Sequence, residues 1–251
     1  MFRTMVLHTV NMDQIAGCER WYWQLHGPQL ARRYGPWLAR FESFRALPAP
    51  AGAERFGATN WLATSGYWRE APLTGPRGEM ALSTPPEHAY SYGICVPPQC
   101  TEDFKGSEWA PEEKAPIRWV QLFRWPEGVS REEGDAWYLN TFAPEACARP
   151  ELLRFFSFRA LEEEIRLPGE WKPGTEHLMK GDPHRDHSWD RMSELWFETF
   201  SDWEKFISAP FTAPAWAAGE RLPFLPEGDM VSAFLLERPA YDWIREHRGW
   251  L

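Results

Sequence analysis

At 251 residues, 43% of them hydrophobic and 25% charged, the chain has the composition of an ordinary globular protein with room for one large domain or two small ones. A formal net charge of −9 without any run of Lys or Arg excludes the clustered basic surface that nucleic acid or an anionic membrane would need. No apolar stretch approaches the roughly 20 residues that cross a bilayer. Met1–Val10 is too short and polar for a secretion signal, and the four cysteines (18, 95, 100 and 147) form no C-x-x-C pair. A reduced, cytoplasmic protein is the expectation.

The elements read in chain order as follows. Residues 3–10 alternate apolar and polar side chains, the signature of a strand. Asn11 or Asp13 then caps a helix whose apolar stripe is Ile15, Cys18, Tyr22 and Leu25. Phe41, Ser43, Arg45 and Leu47 alternate with Arg40, Glu42, Phe44 and Ala46, which predicts a second strand; a third begins near Trp61. The next helix is obscured by Pro72, Gly75, Pro76 and Gly78, and residues 92–116, rich in Pro and acidic side chains, read as a linker. The series then restarts with a strand over 118–125, a helix opened by a Ser130/Glu133 capping box, a strand at 153–161 and another near Arg191. A helix from Ser201-Asp202 and a final strand over 230–237 follow.

The restart is a repeat. ARFESFRAL (39–47) and LRFFSFRAL (153–161) agree at seven of nine positions with a constant offset of 114 residues. Upstream, Trp21-Tyr22 and Pro28 align with Trp137-Tyr138 and Pro144; downstream, Trp61, Ser65 and Trp68 align with Trp189, Ser193 and Trp196. The order in each copy is β-α-β-β-α-β, the ferredoxin-like split unit. The fold class is therefore α+β, with a first unit over 1–112 and a second over 113–251. A lone sheet of this kind has one bare face, and the other copy covers it within the same chain.

The run Trp21-Tyr22-Trp23-Gln24-Leu25-His26-Gly27-Pro28, with Gly35-Pro36 and Arg40-Phe41, resembles the W-x-x-x-H-x-P signature of EthD-like proteins. Ser193-Glu194-Leu195-Trp196-Phe197 resembles the E-x-W-F pattern of that family's third strand. The resemblance implies the dimeric α+β barrel, in which two ferredoxin-like sheets close face to face. It also implies an activity drawn from cyclases, cofactor-free monooxygenases, dehydratases, decarboxylases, isomerases and haem enzymes, among which fold does not choose. Phe142 stands where the first copy has His26, so a site built on that histidine is single.

His26 lies one turn after Tyr22, at a Gly-Pro break, and is the first candidate for general acid/base work on an enolisable or phenolic substrate; a structural imidazole is the plainer role. His184 and His187, with Asp182 and Asp186, are concentrated in 182–187 near His177. A solvated loop, a proton-transfer residue and a metal site all fit that pattern, and no metal is assigned. His8, at the end of the first strand, is a candidate for the barrel interior. With Trp23, Trp61, Trp68, Trp196 and Phe142 it makes up the expected substrate-binding set, the 16 Trp and 16 Phe suggesting an aromatic-walled cavity. Arg45 and Arg159 recur at equivalent strand positions and suggest an ion pair across the barrel. Nucleotide and α/β-hydrolase motifs are missing, and no cofactor is expected; a haem-binding histidine is not found in the helix after Asp202. The expected function is a cofactor-independent enzyme for a hydrophobic aromatic or polyketide-like molecule. A non-catalytic metabolite-binding protein is the competing reading, and further pairing into a homodimer stays open.

Overall fold

The computed structural model describes residues 1–69, 89–106, 116–161, 185–186, 189–214, 216 and 230–247. The first unit runs β1 (Phe2–Val10), α1 (Ile15–Trp21), a π-helical turn (Tyr22–His26), α2 (Gly27–Tyr34), β2 (Leu38–Arg45), β3 (Leu62–Trp68) and β4 (Ala89–Val96). A short β5 (Glu102–Lys105) leads to the second unit: β6 (Ile117–Phe123), α3 (Arg131–Trp137), a second π turn (Tyr138–Phe142), α4 (Ala143–Cys147) and β7 (Leu152–Arg159). After β8 (Arg185–Asp186) come β9 (Arg191–Phe197), α5 (Phe200–Ser208), β10 (Met230–Leu236), β11 (Tyr241–Asp242) and α6 (Trp243–His247). The segment expected to hold the second helix of the first unit lies outside the described residues.

The two sheets have the orders β11-β2-β3-β1-β4-β8 and β10-β6-β9-β7-β5. Within each, the four long strands follow the 2-3-1-4 order of a ferredoxin-like unit, all antiparallel. The sheets face one another and are joined at both edges by equivalent backbone bonds. Leu47 N–H donates to Phe234 O (2.7 Å) and Leu161 N–H to Cys95 O (2.9 Å). These leucines end the two matched nonapeptides, so the repeated segment terminates where it closes the barrel.

Each unit's tail completes the sheet of the other. β5, following β4, pairs with β7, and β11, following β10, pairs with β2. The registers coincide: Tyr241 lies opposite Ser43 as Glu102 lies opposite Ser157, which makes Trp243 the counterpart of Phe104. The residues read as a linker over 92–116 therefore contain most of β4 and the whole of β5. An arm of four residues is too short to show a period.

Three further expectations change. Leu25 is half exposed rather than on the buried stripe, because the π turn inserts extra rotation after Tyr22. No side chain caps the first helix, which opens with a 3-10 turn over Met12–Gln14. The third strands align one residue away from the tryptophan match: Arg40 lies opposite Tyr67 and Arg154 opposite Trp196, so Trp68 corresponds to Phe197. A one-residue slip moves a side chain to the other face. Trp68 accordingly sits on the helix side, stacked on Phe2 at 5.7 Å, whereas Trp196 faces between the sheets.

Between the sheets lies a core of mixed aliphatic and aromatic side chains. Met5, Leu7, Phe44, Val120, Phe158 and Met192 are among the buried side chains from both sheets that pack together there. Most of the rings instead occupy the two outer layers, between each sheet and its own helices.

Candidate functional site

The helix side of the first sheet carries the candidate site. Pro28 has no N–H to continue the α-helical ladder, and the chain widens into a π turn whose last bond runs from Gly27 N–H to Tyr22 O. The expected Gly-Pro break is thus a bulge in a continuous helix. The turn holds the His26 ring stacked on Trp21 at 4.5 Å and 5.9 Å from the Tyr22 ring. The Trp21 indole nitrogen is buried without a hydrogen-bond partner.

Beneath the turn, the Tyr22 hydroxyl lies 2.5 Å from Ser43 Oγ on β2. Ser43 also accepts from the Trp243 indole N–H at 2.8 Å. Burial pushes the Tyr22 phenol well above the usual tyrosine range, against the opposing effect of its own polar interactions with Ser43 and Trp243. Tyr22 is therefore a neutral hydroxyl at working pH. Trp243 also stacks on Trp23 (5.7 Å) and edges onto Tyr22 (6.1 Å). A Cβ on Gly27 would come within 2.3 Å of Trp243 Cζ2, so the ring requires glycine there.

Glu19, half-buried on α1, ties the rest together. It accepts from Trp61 Nε1 (2.8 Å), Trp23 Nε1 (3.1 Å) and Arg45 Nη1 (2.6 Å). Arg45 is thus paired within its own unit, and Arg159 likewise reaches Asp135 at 3.7 Å; neither makes the expected bridge across the barrel. His8 is on the helix side rather than inside the barrel. Its Nδ1 lies 2.9 Å from Ser91 Oγ, and its ring meets Trp61 edge-on at 5.9 Å.

Tyr22, His26, His8, Trp23 and Trp61 are therefore gathered in one layer. Trp68 occupies the same layer nearer Tyr34, while Trp196 is separated from it by the sheet. His184 and His187 lie outside the described residues, although β8 between them pairs with β4 at Ser91, the partner of His8. Among the described residues no group of His, Cys, Asp or Glu is arranged to hold a metal.

The corresponding place in the second unit is sealed. Phe142 replaces His26 and is fully buried against Tyr138 and Phe211. Arg191 is fully buried over the Tyr138 ring at 4.8 Å. It pairs with Asp135 (2.8 Å) and Glu102, and donates to Ser157 at 3.1 Å. Ser43, Trp243 and Glu19 were not singled out from sequence. The signal for Trp243 was the tail Tyr241-Asp242-Trp243, whose Asp-aromatic pair recurs as Asp103-Phe104.

Residues 1–98 match the family described as the chalcone isomerase N-terminal domain. Among solved structures the chain is similar to an anthrone oxidase-like protein at 10% identity, covering 96% of this chain and 92% of the other with a TM-score of 0.49. It is also similar to a variant of chlorite dismutase from Candidatus Nitrospira defluvii in complex with cyanide, at 10% identity, covering 93% and 90% with a TM-score of 0.43. No curated protein matches the chain. The fold assignment rests on strand order, which is that of two ferredoxin-like units closed into one α+β barrel.

Proposed function

We propose that the chain is a small-molecule enzyme that moves protons on an aromatic substrate, with its site at the π turn of the first unit. The observation that carries this reading is the asymmetry between the two π turns: one presents an imidazole beside a neutral, hydrogen-bonded phenol, and the other is plugged by Phe142 and Arg191. His26 serves as general base and acid. Tyr22, oriented by Ser43 and Trp243, donates to the oxygen on which charge develops. The rings of Trp21 and Trp23 supply stacking surface, and the free Trp21 N–H supplies a second donor. His184 and His187 are retained as candidates for a second proton carrier.

Two resemblances support the aromatic substrate. Residues 1–98, which contain the whole π turn, resemble the N-terminal domain of an enzyme named for isomerising a chalcone, an aryl enone. A stretch of the same residues, Trp21 to Pro28, resembles the EthD-like signature. Isomerisation adjacent to a carbonyl redistributes protons only, which an imidazole and a phenol accomplish without a redox partner.

The test is turnover of aryl enones followed by loss of their near-ultraviolet absorption. His26→Ala is expected to lower kcat/KM by about 10²–10⁴, the usual share of a general acid/base, with its Tm close to wild type. Equal turnover by the variant would remove His26 from the chemistry. A non-catalytic binder, which the neutral Tyr22 also suits, would hold such ligands in both proteins and convert them in neither.

A further inference from the structure

The other face of the first sheet, between the sheets, holds a second constellation that the π-turn reading does not use. Arg3 on β1 and Arg118 on β6 occupy the same position in the two units, opposite Tyr67 and Trp196 respectively. Each guanidinium lies over a phenylalanine of the other unit, Arg3 5.1 Å from Phe158 and Arg118 4.7 Å from Phe44. The geometry is symmetric but the acceptors are not. Ser65 and Glu194 are themselves equivalent positions, and Arg3 takes both. Its Nε donates to Ser65 Oγ at 2.9 Å and its Nη2 to Glu194 Oε1 at 2.8 Å.

Arg118 is left over. It is only 7% exposed, and neither its Nε nor its Nη2 has a hydrogen-bond partner. A buried cation with unmet donors is strongly unfavourable unless an acceptor reaches it. These two atoms form one side-on edge of the guanidinium, whose spacing suits the two oxygens of a carboxylate. Among the described residues the two nearest carboxylates are already engaged, Glu42 by Arg40 and Glu194 by Arg3. Aromatic surface flanks the edge, the Trp196 ring lying 5.7 Å from Arg118 Cζ, with Arg154 5.2 Å from the same ring. Arg40, at the same end, is half exposed, so this end of the barrel reaches solvent.

We propose that Arg118 is the anchor of a binding site for a small aromatic carboxylate, held between the sheets with its acid group on the Nε/Nη2 edge and its ring beside Phe44 and Trp196. The site uses residues of both units and is separated by the first sheet from the π turn, so the two stand or fall independently.

The test is calorimetric titration of the full chain with benzoate and cinnamate, and with benzamide and cinnamide as uncharged isosteres. The acids are expected to bind at least about tenfold more tightly than the amides, and Arg118→Lys, which keeps the charge but loses the bidentate edge, should weaken them by a similar factor. Lys205→Gln, on the exposed face of α5, should leave binding unchanged. Equal binding of acids and amides, no binding of either, or full acid affinity in R118K overturns the proposal, as does a ligand-soaked crystal in which water alone accepts from both N–H groups. Should R118K fail to fold, the acid-to-amide ratio of the wild-type chain decides by itself.

Discussion

Trp243 and Ser43, two hundred residues apart, are joined by a 2.8 Å hydrogen bond that carries the end of the second unit into the candidate site of the first. Trp243→Phe keeps most of the ring but removes the donor, and is expected to cost about 1 kcal/mol. Trp243→Ala removes a buried indole and should cost about 3–5 kcal/mol. Urea denaturation measures both, and equal stability of the two variants would show that the indole is not packed as described.

Gly27→Ala tests the same contact from the opposite side. Helix propensity favours alanine by about 1 kcal/mol, yet the added methyl meets Trp243. Overpacking of this kind typically costs about 1–3 kcal/mol, so a net loss is expected. Combining it with Trp243→Ala should restore the propensity gain. In the second unit the equivalent residue is already Ala143, and the smaller Phe104 stands at the position of Trp243. A Gly27→Ala protein more stable than wild type would contradict the close approach.

Glu194 joins the units through Arg3. Burial works to raise its carboxyl, but Arg3 and Arg118 more than offset this and hold it below the usual glutamate range. A depressed folded-state pKa contributes stability that is present above the unfolded value and lost as pH falls through the folded one. Glu194→Gln leaves buried arginines uncompensated and should cost about 3–5 kcal/mol at pH 7. The gap to wild type should narrow progressively below about pH 4. A gap that stays constant on acidification would place the destabilisation elsewhere.

Tyr138 has the reverse sign. Burial raises its phenol to about 12, against Arg191 and the hydroxyls of Ser157 and Ser193, which pull it down. The unfolded chain therefore releases this proton first. The stability Tyr138 contributes is complete below about pH 10 and is lost between there and about 12. Alkaline urea midpoints should fall less steeply in Tyr138→Phe than in wild type, and identical slopes would refute the assignment.

What was legible in the sequence follows from which contacts are local or doubled. The two nonapeptides could be read because Phe41 and Phe44, like Phe155 and Phe158, serve two buried faces of one strand, which constrains the whole segment. Residue type aligns Trp61 and Trp68 with Trp189 and Trp196, while the pairing of each third strand with its second strand puts Leu62 opposite Arg45 as Arg191 lies opposite Arg159, a register one residue away. Leu25 was misplaced because a π turn breaks the 3.6-residue period on which the stripe depends. The proximity of Tyr22 and His26 is local and readable from their spacing of one turn. Ser43 and Trp243 could not be joined to them, since that link spans the whole chain, and the singular state of Arg118 emerges only when the acceptors of both units are counted.

The crossing of the two tails sets a rule for taking the molecule apart. Severed between Gly106 and Pro116, the chain yields an amino-terminal piece that keeps β5 but lacks β11 and Trp243, and a carboxy-terminal piece in the converse position. Each fragment carries the edge strand that the other is missing. The two pieces are therefore expected to complement in trans, and the proposed site, which takes Trp243 from the carboxy-terminal piece, is complete only in the reassembled pair.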